Sequence, residues 1–189
     1  DLSDETKKLY NKLTKEKIAD IDQAKIICDT KTKLRVALHQ IEGGTYKRTT
    51  PTIGDNGRVK EREEFFILKN NEKIDYIKAT WGDSENIGIF YHFKGELIKL
   101  QQHFKKAHLL QASTFAEGVD LSHIPTLIVY SQDYSTAKFV QRRARQANKE
   151  RKEEIIVHFL LVKKAISEEV YNCVCINKTN YVDSVFQGK

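Results

Sequence analysis

Apolar positions along the chain change period repeatedly. Over residues 3–17, Leu9 and Leu13 fall four apart among polar neighbours and Ser3 or Asp4 can cap, which predicts a helix. Residues 18–29 lose that spacing, and Lys25, Ile26, Ile27 and Cys28 suit a short extended piece. Leu34, Ala37, Leu38 and Ile41 return to helical spacing, behind a cap at Thr30 or Thr32 and ahead of a stop at Gly43 and Gly44. Between 45 and 68 the pattern predicts a β excursion: extended runs at 46–50 and 65–68 flank a turn-rich stretch at 51–57, and the charge run at 58–64 puts this arm in solvent. Asn70 or Asn71 then caps a helix with Ile74, Ile77 and Trp81 inward and Gly82 at its end.

From Ile87 the rhythm is that of an α/β protein. Strands are expected at 87–91, 108–112, 126–130 and 154–161, and helices at 94–106, 135–147 and 166–176. Crossovers of this length favour parallel strands. Four stretches follow: residues 1–44, a helical lead-in; 45–69, a charged β-arm; 70–177, an α/β domain on a mainly parallel sheet; and 178–189, a tail too short and polar to assign.

Four motifs in this second half carry a family resemblance. The segment I-G-I-F-Y-H-F-K at 87–94 resembles motif IV of superfamily-two helicases, and T-F-A-E-G-V-D-L at 114–121 resembles motif V. Q-R-R-A-R-Q at 141–146 is similar to motif VI, and A-I-S-E-E-V-Y-N at 165–172 resembles the helix closing the second lobe in the Swi/Snf-type DNA translocases. The 34–44 segment resembles that group's inter-lobe linker helix. The resemblance implies a RecA-like C-terminal helicase lobe, a three-layer sandwich, at 70–177. Similar compact motors occur in bacteriophages.

It also implies roles. Arg145 would be the motif VI arginine meeting charge on a transferring γ-phosphoryl group, with Gln141 one turn earlier on the same face. Glu117, Gly118 and Asp120, with Arg142, would couple ATP to the nucleic-acid strand. Ser113 and Thr114 would face the phosphodiester backbone, joined by His92, Phe93 and Lys94 after the first core strand. Two positions depart from motif VI: Ala144 replaces its glycine, and Asn148 stands where a second arginine belongs. The plain alternatives are a strand-to-loop turn with a capping aspartate at 117–120 and a solvated basic helix face at 141–152.

Composition narrows the classes. Among 189 residues, 40% are hydrophobic and 31% charged, which fits a globular chain with a heavily charged surface. No apolar run nears the ~20 residues of a membrane-crossing helix, and the first thirty residues lack a secretory core. The expectation is a cytoplasmic protein (host cytoplasm if viral) with no membrane partner. A net charge of +6 suits a polyanionic partner. The three cysteines lack zinc-type spacing, which predicts buried thiols, and the six histidines lack H-E-x-x-H, so no metal site is expected.

The sequence contains neither G-x-x-x-x-G-K-[ST] nor a D-E-x-[DH] box. A helicase ATPase needs both, and they belong to the first lobe. Together with the missing methionine, this predicts a second motor lobe alone, inactive by itself. Its partners would be DNA (RNA not excluded) and the N-terminal lobe of the same polypeptide, with ATP and Mg2+ held mainly by that lobe. The alternative is a non-catalytic nucleic-acid-binding or scaffold module that keeps the fold.

Overall fold

The computed structural model describes residues 1–21, 24–53, 58–112, 124–146 and 154–186, with the side chains at 24 and 144–146 left aside. Helix α1 (Asp4–Glu16) starts at Ser3, whose hydroxyl accepts from the Thr6 N–H, and ends at Lys17 in the left-handed region. Two short strands, β1 (Ile18–Ile21) and β2 (Ala24–Ile27), pair antiparallel. Helix α2 (Lys31–Glu42) is capped by Thr30. Next come β3 (Thr45–Ile53) and β4 (Val59–Ile67), an antiparallel ribbon with nine paired positions, then α3 (Glu72–Trp81).

The parallel sheet occupies the second half. It comprises β5 (Ile87–Tyr91), β6 (His108–Gln111), β7 (Thr126–Val129) and β8 (Ile156–Phe159), in the order β6-β5-β7-β8 with every neighbouring pair parallel. Helix α4 (Lys94–His103) links β5 to β6, α5 (Thr136–Gln146) links β7 to β8, and α6 (Ile166–Tyr171) runs into a π-helical turn at Asn172–Ile176.

Alternation along the strands sends side chains to opposite faces. Ile87, Ile89, Tyr91, Ile128 and Tyr130 meet Ile74 and Ile77 of α3 and Leu100 of α4. On the other face, Phe90, Leu110, Leu127 and Val129 form a second cluster, and Arg142 of α5 lies 5.2 Å over the Phe90 ring. Helices on both faces of a parallel sheet make an α/β domain of the expected kind, consistent with a RecA-like lobe. At its centre, a Cβ on Gly88 would lie 2.7 Å from Leu127 Cδ2 and 2.9 Å from Leu110 Cδ1, so glycine leaves room for these two side-chain ends to close over the strand.

A third cluster joins the two ends of the chain. Tyr10, Leu13, Ala19, Ile26, Leu38 and Ile41 pack with Val162, Ile166, Val170, Val174, Tyr181 and Phe186. The lead-in therefore shares a core with the segment after β8, and Tyr181, within the stretch read as a tail, is 1% exposed. Cys28, Cys173 and Cys175 are buried thiols. The ribbon's outer half is exposed as expected, with Ile53 81% and Val59 72% open to solvent. At its root Lys99 donates to the carbonyls of Gly44 (3.2 Å), Leu68 (2.9 Å) and Asn70. Gly44 holds φ +70° there, and a Cβ would strike the Lys99 amine. No helix among the described residues is long and apolar enough to cross a membrane.

Candidate functional site at the carboxyl edge of the sheet

The strand order creates a switch point. From β5 the chain leaves into α4 on one face, whereas from β7 it leaves into α5 on the other. Open α/β sheets place their ligands at such a divergence, at the carboxyl ends of the strands. His92 and Phe93 come from the first exit; Ser131, Gln132, Asp133 and Tyr134 come from the second.

Glu96 clips the exits together. Its Oε2 accepts from the backbone N–H groups of His92 (3.0 Å) and Phe93 (2.9 Å) and from the Ser131 hydroxyl, while the His92 N–H also reaches Ser131 Oγ at 2.8 Å. The carboxyl is completely buried, and burial pushes its pKa up against the lowering effect of those donors. Its Oε1 has no hydrogen-bond partner among the described residues and lies against Gly43.

Around this clip sits an aromatic and basic cluster. Asp133 accepts from the Ser135 N–H at 2.7 Å and from Lys138 at 3.2 Å. Its Oδ2 lies 3.4 Å from His92 Nδ1, close enough for charge attraction but without hydrogen-bond geometry. Burial lowers the His92 pKa; Asp133 pulls it back up, while Lys138 and Arg142 push it further down. The imidazole is therefore neutral near pH 7. His39 of α2 is fully buried, edge-on to Phe93 at 5.2 Å, with Nδ1 3.0 Å from the Tyr134 hydroxyl. Burial first, then Lys73, His92 and Arg35, hold it well below the ordinary histidine value. The Arg35 guanidinium lies 4.8 Å over the Tyr134 ring and donates to the Tyr181 carbonyl at 2.6 Å.

The expected site residues divide into three groups. Ser113, Thr114, Glu117, Gly118 and Asp120 lie outside the described residues, as does Asn148; the stretch from 113 begins directly after Ala112, whose N–H bonds the Tyr91 carbonyl at the same edge. His92, Phe93 and Lys94 sit at this edge: His92 is mostly buried, and Lys94 is exposed with its amine 3.9 Å from Glu63. On α5, Gln141 is exposed and Arg142 is buried, donating to Gln132 Oε1 and lying 5.7 Å over the Phe139 ring. The Arg145 backbone belongs to α5, but its side chain lies outside what is described. The described residues contain no cluster of three or more His, Cys, Asp or Glu side chains placed to hold a metal ion.

Sequence reasoning missed Ser131, Gln132, Asp133 and Tyr134, although a signal existed. They follow the apolar run 127–130 at the strand exit, just as 92–94 follow 87–91. Glu96 had one too, being three residues after Phe93, the spacing of a carboxylate that reaches back to a helix start. His39 had none.

No family model matches this sequence, and no curated protein matches it. Among solved structures, the crystal structure of the C-terminal part of the Fun30 ATPase domain is similar at 13% identity with a TM-score of 0.45. That likeness covers 59% of this chain and 45% of the other. A likeness of this degree bears on neither activity nor partners, and the α/β assignment rests on the chain's own parallel sheet.

Proposed function

We propose that this chain is the C-terminal motor lobe of an ATP-dependent DNA helicase or translocase. One observation carries the reading: β5, β6 and β7 end at one carboxyl edge of the parallel sheet and are the strands that precede the sequence segments starting at His92, Ser113 and Ser131. Those are the segments that resemble motifs IV and V and lead into motif VI, in that order along the chain.

In this reading the N-terminal lobe holds Mg-ATP as substrate, and this lobe completes the site from α5 and the 117–120 loop. A guanidinium at Arg145 would meet the charge that develops on the γ-phosphoryl oxygens, with Gln141 one turn away on the same stripe. Gln141, on that stripe, is exposed, as a residue offered to a polyphosphate must be. Arg142 serves coupling rather than direct contact. Its bond to Gln132 and the Asp133–Lys138 pair tie α5 to the β7 exit. Glu96 ties that exit in turn to His92 and Phe93. A shift of α5 on ATP binding would thus reach the nucleic-acid edge mechanically. At that edge Lys94 supplies the charge, since burial lowers the pKa of the mostly buried His92. Ser113 and Thr114 would add backbone contacts.

A second reading is favoured by Asn148 at the expected place of the second arginine: a non-catalytic nucleic-acid-binding or scaffold module. Steady-state ATP turnover separates the two. The isolated chain should show none, and joining it to a first lobe bearing the phosphate loop and acidic box should produce DNA-stimulated hydrolysis. Turnover by the isolated chain, or none by the joined protein, would overturn the motor reading.

A further inference from the structure

The β3–β4 ribbon is two-faced. Its register places Tyr46 opposite Phe66, Arg48 opposite Glu64, Thr50 opposite Arg62 and Thr52 opposite Lys60, all on one face. The other face pairs Lys47 with Phe65, Thr49 with Glu63, Pro51 with Glu61 and Ile53 with Val59. In the outer half, the first face carries two cations and two hydroxyls with no acid, whereas the second carries Glu61 and Glu63. The second face also leans on the body. Gly95 of α4 packs against Thr45 and Phe65, and Glu63 lies 2.8 Å from Lys47 and 3.9 Å from Lys94. In the outer half both faces are open to solvent, and on the basic one Thr52, Lys60 and Arg62 are exposed and Thr50 is half-buried.

That face continues into a groove of 480 Å³ between the ribbon and the start of α2. Lys25, Lys33 and Arg48 line it with Asp29, which pairs with Lys33 at 2.8 Å, and Lys47 joins them from the ribbon's other face. Lys25 and Lys60 have no ionic partner among the described residues, and Arg62, 68% exposed at its side chain, has only a 3.5 Å approach to Glu64. Nine residues per strand make a ribbon about 30 Å long. The major groove of B-form DNA admits a two-stranded ribbon, whereas the corresponding groove of A-form RNA is too narrow.

We propose that this basic face is a duplex-DNA contact in which Lys60, Arg62 and, at the groove rim, Lys25 take phosphates while Thr50 and Thr52 face the groove wall. The proposal deepens the nucleic-acid reading above and rests on it for the partner.

The test is fluorescence-anisotropy binding of the full 189-residue chain to a labelled DNA duplex over a salt series. The Lys60→Ala/Arg62→Ala variant should weaken binding on the order of tenfold and reduce the slope of log K against log salt by about 2, one released counterion per lost phosphate contact. Lys12→Ala/Lys15→Ala on the exposed side of α1 removes the same charge and should leave both quantities near wild type. Equal losses from the two variants would reduce the effect to net charge and overturn the proposal, as would wild-type binding by the ribbon variant. Equal losses on duplex RNA of the same sequence would overturn the assignment to B-form DNA. The motor reading is judged separately, by ATP turnover of the joined lobes.

Discussion

Glu42 offers a measurement in which burial and charge pairing pull in opposite directions. It ends α2, is 2% exposed, and accepts from the N–H groups of Ile166 (2.8 Å) and Ser167 (3.2 Å) at the start of α6. Burial pushes its carboxyl up to about 7 from an ordinary 4.5, although Lys73 and the two amides favour the anion. Between those values the folded chain holds a proton that the unfolded chain has released. Stability from this group is therefore lost as pH rises through that window, by about 3 kcal/mol in all. Glu96, also raised, runs the same way. His39 and His92 run against it: both are depressed in the fold, so their contribution is lost as pH falls through the ordinary histidine range. The wild-type profile mixes all four, and the difference from Glu42→Gln isolates one. Urea unfolding at fixed ionic strength from pH 4.5 to 8 should show the variant gaining about 3 kcal/mol relative to wild type, since glutamine stays neutral and still accepts from the amides. Parallel profiles would refute the reasoning. A variant that loses ground as pH rises would mean that Lys73 and the amides outweigh burial.

Two further predictions concern the residues that hold the strand exits and the ribbon. Glu96→Ala leaves the N–H groups of His92 and Phe93 without their carboxylate and should cost about 2–4 kcal/mol, whereas Glu96→Gln keeps one acceptor and should stay within about 1 kcal/mol of wild type. Urea midpoints check both, and a glutamine variant as unstable as alanine would show that the charge matters rather than the acceptor. Lys99→Met removes the donor shared by the carbonyls of Gly44, Leu68 and Asn70. It should destabilise by about 1–3 kcal/mol and speed amide exchange at the Leu68 N–H, which bonds Gly44, more than at the centre of β5; uniform acceleration would contradict that local role.

The sheet was legible because buried parallel strands leave plain apolar runs, and 87–91 matches β5 at both ends. Some of the surroundings were not. In β1 the inward residues are Ala19 and Ile21, and alanine gives almost no strand signal. In α2 the period correctly marked Leu34, Ala37, Leu38 and Ile41, yet Arg35, His39, Gln40 and Glu42 are buried as well. Segments distant in sequence meet its polar side, with Tyr181 on Arg35, Tyr134 on His39 and the start of α6 on Glu42, while the adjoining β3 takes Gln40. The predicted helix at 166–176 changes to a π turn at Asn172, where Cys173, Val174 and Cys175 are all buried, more consecutive inward positions than one α-helical stripe supplies. As for the site, spacing marked the residues at 92–94 and the helix of Arg142. The Glu96 clip and the His39–Tyr134 contact arise from tertiary approach across 35 and 95 residues of chain.

In the proposed motor, Arg145 completes an ATP site held by another lobe. The direct measurement is DNA-stimulated ATP hydrolysis by the joined two-lobe protein, wild type against Arg145→Ala, with kcat and KM resolved. An arginine that acts on the γ-phosphoryl charge should lower kcat by about 10³-fold or more on removal while KM changes little. Equal kcat values in the two proteins would contradict the account.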